Sequence, residues 1–188
     1  MINKFNIKGN ARILLKASFI FNFGIGLFAP IYAIFVQKIG GDILDAGIAF
    51  AIYFILTGIF VIAFDTSKFY LKNVKKMIIL GYFLFAIAYF LFIFIKTPMH
   101  LFLLQMLLGL ATGIADPAWE GVFSAKGSEK KESKNWAIWT GGVSIIAGIS
   151  AVVGGIIVTL FSFEVLFGIM SALCLLASLI SIKIIKTI

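Results

Sequence analysis

The stretch LFLLQMLLGLATGIADPAWEG, residues 101–121, opens as an unbroken apolar run and ends with Asp116 and Glu120 four residues apart. Taking about 100° per residue from Gln105, Gly109 falls at about 40°, Thr112 at about −20°, Asp116 at about 20° and Glu120 at about 60°. Leu107, Leu110 and Ile114 point away. The strongly polar residues therefore share one face of a predicted helix long enough to cross a bilayer. At about 1.5 Å per residue, Asp116 lies about 26 Å along the axis from Met99, near one end of the hydrocarbon core. A carboxylate at that depth faces a bundle interior or water and calls for a basic partner. Because Pro117 follows Asp116, the pair also reads as a helix cap that restarts a kinked helix. Cap, gate, or proton or solute binding all remain open at this point.

The rest of the chain has the same character. Of 188 residues, 62% are hydrophobic and 13% charged, with 21 phenylalanines. Mean hydropathy is +1.11. So few charges do not cover a soluble domain of this size. Cys174 and His100 are the sole residues of their kinds, which excludes a disulfide framework, a thiolate cluster and a histidine-rich metal site. No phosphate loop or cofactor fingerprint is present, so neither cofactor nor metal is expected. The net charge of +8 punctuates hydrophobic spans, which fits membrane topology and argues against a nucleic-acid partner. The basic N-terminal stretch KFNIKGNARILLK resembles the start of a signal peptide, but the apolar run after it is too long and has no small-residue cleavage site. It is read as a retained first helix.

Six spans are predicted, at about 14–36, 43–64, 77–95, 99–123, 136–160 and 164–183, all helical because backbone groups in lipid must be satisfied within the segment. They form one membrane domain over residues 1–188. Fourteen of the 16 basic residues fall on one side: Lys4, Lys8, Arg12 and Lys16 at the N-terminus, Lys68, Lys72, Lys75 and Lys76 in the second loop, Lys126, Lys130, Lys131 and Lys134 in the fourth, and Lys183 and Lys186 in the tail. Lys38 and Lys96 lie opposite, in the company of Asp42, Asp45 and Glu164. This asymmetry predicts both termini in the cytoplasm, with the chain a multi-pass protein of the plasma (cytoplasmic) membrane.

The chain also repeats itself at about 87 residues. Gly26-x-x-x-Pro30 with Tyr32 is matched by Gly113-x-x-x-Pro117 with Trp119. Phe50-Ala51-Ile52-Tyr53 is matched by Trp136-Ala137-Ile138-Trp139, and Gly81 by Gly168. Three helices per copy make the second copy enter from the opposite face, an inverted 3+3 repeat with copies at about 11–95 and 99–186. The third span, whose polarity is limited to two tyrosines, reads as lipid-facing, and the sixth is similar. Asn22 with Gly24, Gly26 and Pro30 in the first span, and Trp136, Trp139, Thr140 and Ser144 with Gly148, Gly154 and Gly155 in the fifth, read either as close packing or as bends beside a path.

These features resemble the N-terminal six-helix half of a major facilitator superfamily transporter. The second loop is similar to a degraded form of the family's G-x-x-x-D-R-x-G-R-R/K motif: Asp65 matches the acid, Val61 replaces the first glycine and Thr66 follows where arginine is usual. LFLLQMLLG (101–109) resembles L-x-x-x-R-x-x-x-G with Gln105 at the arginine, and SAVVGG (150–155) resembles G-P-x-x-G-G without its Gly-Pro. The resemblance implies that spans 1, 2, 4 and 5 line a cavity while 3 and 6 face outward. Family members normally have two such halves, which implies a second copy or a complementary half-transporter chain as partner, besides the lipid bilayer and a small-molecule or ion substrate.

The leading functional expectation is a transporter or half-transporter subunit that moves a small solute by alternating access. Asp65, Asp116 and Glu120 would form a cytoplasmic gate with Lys68 and Lys75; Asn22, Tyr53, Gln105, Trp136 and Trp139 would contact solute. The alternative is a non-transporting assembly or regulatory membrane protein, or a truncated transporter fragment. An enzyme is not expected, and no catalytic residue is assigned. Ser144 sits in GVSI rather than G-x-S-G, His100 has no serine partner, and Asp65 and Asp116 lack the flanks of an intramembrane aspartyl protease.

Overall fold

The computed structural model describes residues 10–65, 67–124 and 129–186, all-helical apart from short connections. α1 (Asn10–Gly26), a 3₁₀ turn (Ala29–Ile31) and α2 (Tyr32–Lys38) make the first span. α3 (Ile43–Asp65) is the second, α5 (Val74–Phe92) the third and α6 (Pro98–Ser124) the fourth. α7 (Glu129–Leu160) and α8 (Phe163–Ser181) are the fifth and sixth, while α4 (Lys68–Lys72) and α9 (Lys183–Lys186) are short pieces beside them. Six helical stretches are long and apolar enough to cross a membrane, within a few residues of those expected. The chain is an all-α membrane protein.

The helices pack in the order α3, α6, α5, α8, α1, α7, with a lighter contact between α1 and α6. α1, α5, α6 and α8 thus form the centre. α3 and α7 flank it: only 6% and 11% of their most apolar windows are buried, against 39–50% for the other spans. Lipid offers no hydrophobic drive between helices, so close backbone approach and hydrogen bonds must hold them. Both are present. A Cβ on Gly113 would come within 2.5 Å of the Phe60 Cβ on α3, one on Gly26 would strike the Ser150 hydroxyl on α7, and one on Gly154 would strike the Leu27 carbonyl. Ser171 and Ser178 of α8 donate to the Ala86 and Ile79 carbonyls of α5 at 2.7 and 2.9 Å.

Two prolines at repeat-related positions behave differently. At Pro30 the first span breaks, since proline supplies no N–H and constrains the residue before it. Leu27, Phe28 and Ile31 donate three residues back instead of four, at 3.4, 3.4 and 3.1 Å. At Pro117 no break occurs: α6 runs through it from Pro98 to Ser124. The cap reading of Asp116 is thereby corrected, because the residue is helical interior. α6 is supported from both sides, by α3 at Gly113 and by α5, where Gly81 faces Ala115. Tyr70 of α4 also donates to the Ile114 carbonyl at 2.9 Å.

The third span is likewise not simply lipid-facing. Leu80, Phe83, Ile87 and Phe90 are exposed, but Tyr82, Phe85, Tyr89 and Phe92 are buried. A helix apolar all round does not announce its inner face; its neighbours select it. Gly81 is in tight contact, whereas Gly168, its expected counterpart, has open space.

The end of the bundle opposite the N-terminus is closed by local chemistry. α2 ends on Gly40 in the left-handed region (φ 82°), with Gly41 N–H on the Val36 carbonyl and Gly40 N–H on that of Gln37, a Schellman ending. Asp42 and Asp45 each accept the other's backbone N–H at 2.9 and 3.0 Å at the start of α3. Lys38 pairs with Glu164 at 3.2 Å and lies 5.1 Å from the centre of the Phe163 ring.

Candidate functional site

A cavity of about 480 Å³ is walled by residues of spans 1 to 5 and none of span 6. Eleven of its 23 lining residues are aromatic, against 15% of the chain, so aromatic faces dominate the wall. Its polar groups are fixed by one another. Gln105, 6% exposed, donates to the Tyr32 hydroxyl at 3.0 Å, tying α6 to α2 just past the break at Pro30. The Tyr53 hydroxyl meets Thr112 Oγ1 at 3.0 Å. Thr112 gives its own proton to the Leu108 carbonyl at 2.9 Å, so Tyr53 is the donor there. Asn22 donates to the Ser18 carbonyl at 2.8 Å and to its hydroxyl at 3.1 Å; the Trp139 indole donates to the same hydroxyl at 2.9 Å.

Of the expected contact residues, Asn22, Tyr53, Gln105 and Trp139 lie on this wall. Trp136 does not. It packs behind, 6.0 Å from Trp119 and 5.5 Å from Trp139, ring centre to ring centre. Trp119 and Trp139 stand 4.9 Å apart, so the chain's three tryptophans form one cluster across α6 and α7. Asp116 and Glu120 line the cavity as exposed side chains at the end of α6 nearest the basic loops. Neither forms an ion pair among the described residues, where the recorded pair is Lys38–Glu164. Lys68 is exposed on α4 and Lys75 half-buried in the first turn of α5. The Asp65 side chain and Lys126 lie outside the described residues, as do Lys4 and Lys8.

Sequence reasoning missed the cavity's aromatic floor on α5: Tyr82, Phe85, Tyr89 and Phe92. Their 3-4-3 spacing is a helical face and was available as a signal, masked by apolar residues on every other face. It also missed Tyr70, which stacks on Phe64 (centres 5.5 Å apart) while it holds the Ile114 carbonyl. No group of three or more metal-ligating side chains occurs among the described residues.

Residues 14–187 match the profile of the Major Facilitator Superfamily. An uncharacterized MFS-type transporter of Methanocaldococcus jannaschii is 22% identical over 176 residues. That alignment covers 93% of this chain and 45% of the relative, so the chain spans about half the relative's length.

Proposed function

Because the chain belongs to the Major Facilitator Superfamily, we propose that it forms one six-helix half of a transporter that moves a small solute by alternating access. The family is one of membrane transporters rather than enzymes, and the relative's name is that of a transporter. The observation that carries the proposal is this cavity, bounded by polar side chains of α1, α3, α6 and α7 in a bundle whose flanking helices α3 and α7 leave most of their apolar surface unburied. A second six-helix unit, either another copy or a complementary chain, covers those flanks and closes the path between the two halves.

Within this reading Asn22, Tyr53, Gln105 and Trp139 contact the solute directly, and Trp136 acts through the tryptophan cluster. Asp65, Asp116 and Glu120 with Lys68 and Lys75 form the gate at the basic end. That end faces the cytoplasm of a cell bounded by the plasma membrane, and both termini lie there. The repeat at 11–95 and 99–186 is supported by exchange of equivalent contacts. Gly26 of the first span approaches the fifth as Gly113 of the fourth approaches the second. Tyr53 of the second span donates to the fourth as Trp139 of the fifth donates to the first.

Alternating access is tested without knowing the solute. Cys174 is the single cysteine and is buried, so a Cys174→Ser background accepts one reporter cysteine at Gln105. A membrane-impermeant maleimide is expected to label it from either side of the membrane, with agents that trap one orientation abolishing labelling from the other. Labelling confined to one side under every condition would overturn the mechanism.

A further inference from the structure

We propose that the cavity takes hydrophobic organic cations, with the charge held at Asp116 and Glu120 and the apolar body against the aromatic wall. The inference rests on the reading of this cavity as the solute site. In a chain with 16 basic residues, the described lining residues include no lysine, arginine or histidine. The charged groups among them are two carboxylates, exposed to the cavity and in no ion pair with a described residue. They repel an anion and leave a neutral solute's entry uncompensated, whereas a cation neutralises them.

The wall adds a second, independent argument. Aromatic rings present their negative faces to a cation, and the attraction grows where water is displaced. Much of the wall's polar capacity is already spent inside the protein, at Asn22, Gln105, Tyr53 and Trp139, so apolar rings make up most of what a bound solute meets. Trp119, a lining residue only 5% exposed, keeps its indole N–H buried with no partner among the described residues. A buried donor left unmade is costly, and an acceptor atom on the body of a bound cation would satisfy it. The volume, about 480 Å³, is that of a site for a drug-sized molecule, and an inorganic ion would find carboxylates on one side and apolar rings on the other.

Binding is measured with the full chain in nanodiscs, using the fluorescence of the tryptophan cluster beside the carboxylates and empty nanodiscs as the blank. Tetraphenylphosphonium and tetraphenylborate are the probes, being matched in size and shape and opposite in charge. Saturable binding of the cation, at least tenfold tighter than that of the anion, is expected. The double variant Asp116→Asn, Glu120→Gln should lose at least tenfold for the cation, while Asp116→Glu, which keeps the charge, should not. Equal affinities for the two ions, no saturable response to tetraphenylphosphonium, or full binding by the neutral variant would overturn the proposal. Both acids are exposed, so these variants should keep the parent's thermal transition. Flux into proteoliposomes, taken as the saturable excess over protein-free liposomes because both probes cross a bare bilayer, separates this proposal from the transport reading. Specific cation binding without flux counts against transport alone, and flux of the borate in place of the phosphonium counts against the cation alone.

Discussion

At Gly113 a side chain has nowhere to go, since the Phe60 Cβ already stands where the new atom's neighbour would be. Gly113→Val should therefore separate α6 from α3 and cost about 1–3 kcal/mol by overpacking. Gly168→Ala, with open space around it, should be near neutral. Thermal unfolding in detergent compares the two directly, and equal losses would contradict the packing described. Hydrogen bonds across these helices are worth less than their burial suggests, about 0.6 kcal/mol on average in membrane proteins. Gln105→Leu should thus destabilise only slightly while freeing Tyr32, so its effect is to be sought in ligand binding rather than in stability. The Lys38–Glu164 pair is weaker evidence still. Its side chains are 48% and 52% exposed, and such pairs contribute about 0–1 kcal/mol and are screened by salt. Lys38→Met should leave the melting temperature within experimental error at physiological ionic strength.

The two repeat-related prolines make opposite predictions for their helices. Pro30→Ala restores an N–H and removes the steric block, so residues 27–31 are expected to tighten into continuous α-helix. That rotates Tyr32 relative to α1 and breaks its bond with Gln105. Slower hydrogen exchange at residues 27–32, with weaker ligand binding, is the outcome that checks it. Pro117→Ala should leave α6 in place, because the helix is already continuous there, and unchanged exchange through residues 113–120 would agree. The chain pattern placed both prolines in equivalent settings, and only the neighbours tell them apart. α6 lies between α3 and α5, whereas the 3₁₀ turn of the first span meets α7 and little else. The α5 aromatics illustrate the same limit. Their face was legible as a spacing, but a span apolar on all sides leaves the choice of inner face to packing.

For the molecule as a whole, the flanking helices set the expectation. α3 and α7 carry exposed large side chains along their length, among them Phe54, Ile59, Ile149 and Ile156, and the cavity lies between them and the centre. If a second six-helix unit closes the path, native mass spectrometry from nanodiscs should count two units per particle. An isologous pair of identical chains would use one surface twice. Particles holding one copy and no other chain would remove the half-transporter reading.

Length and hydropathy were enough, by themselves, to determine the number of spans and their helical character, and lysine placement predicts an orientation. These follow from the cost of bare backbone and charge in lipid, which every segment meets alone. The face of α6 that carries Gln105, Thr112, Asp116 and Glu120 was readable for the same reason, because polar residues on one helix reveal their side by angle. Which aromatic residues of α5 complete the wall was decided only when the helices came together. So were the break at Pro30 but not at Pro117, and the Trp119 indole left with no partner among the described residues. Those outcomes depend on contacts between segments far apart in the chain, where small residues let backbones approach and a neighbour's atoms decide which conformation survives.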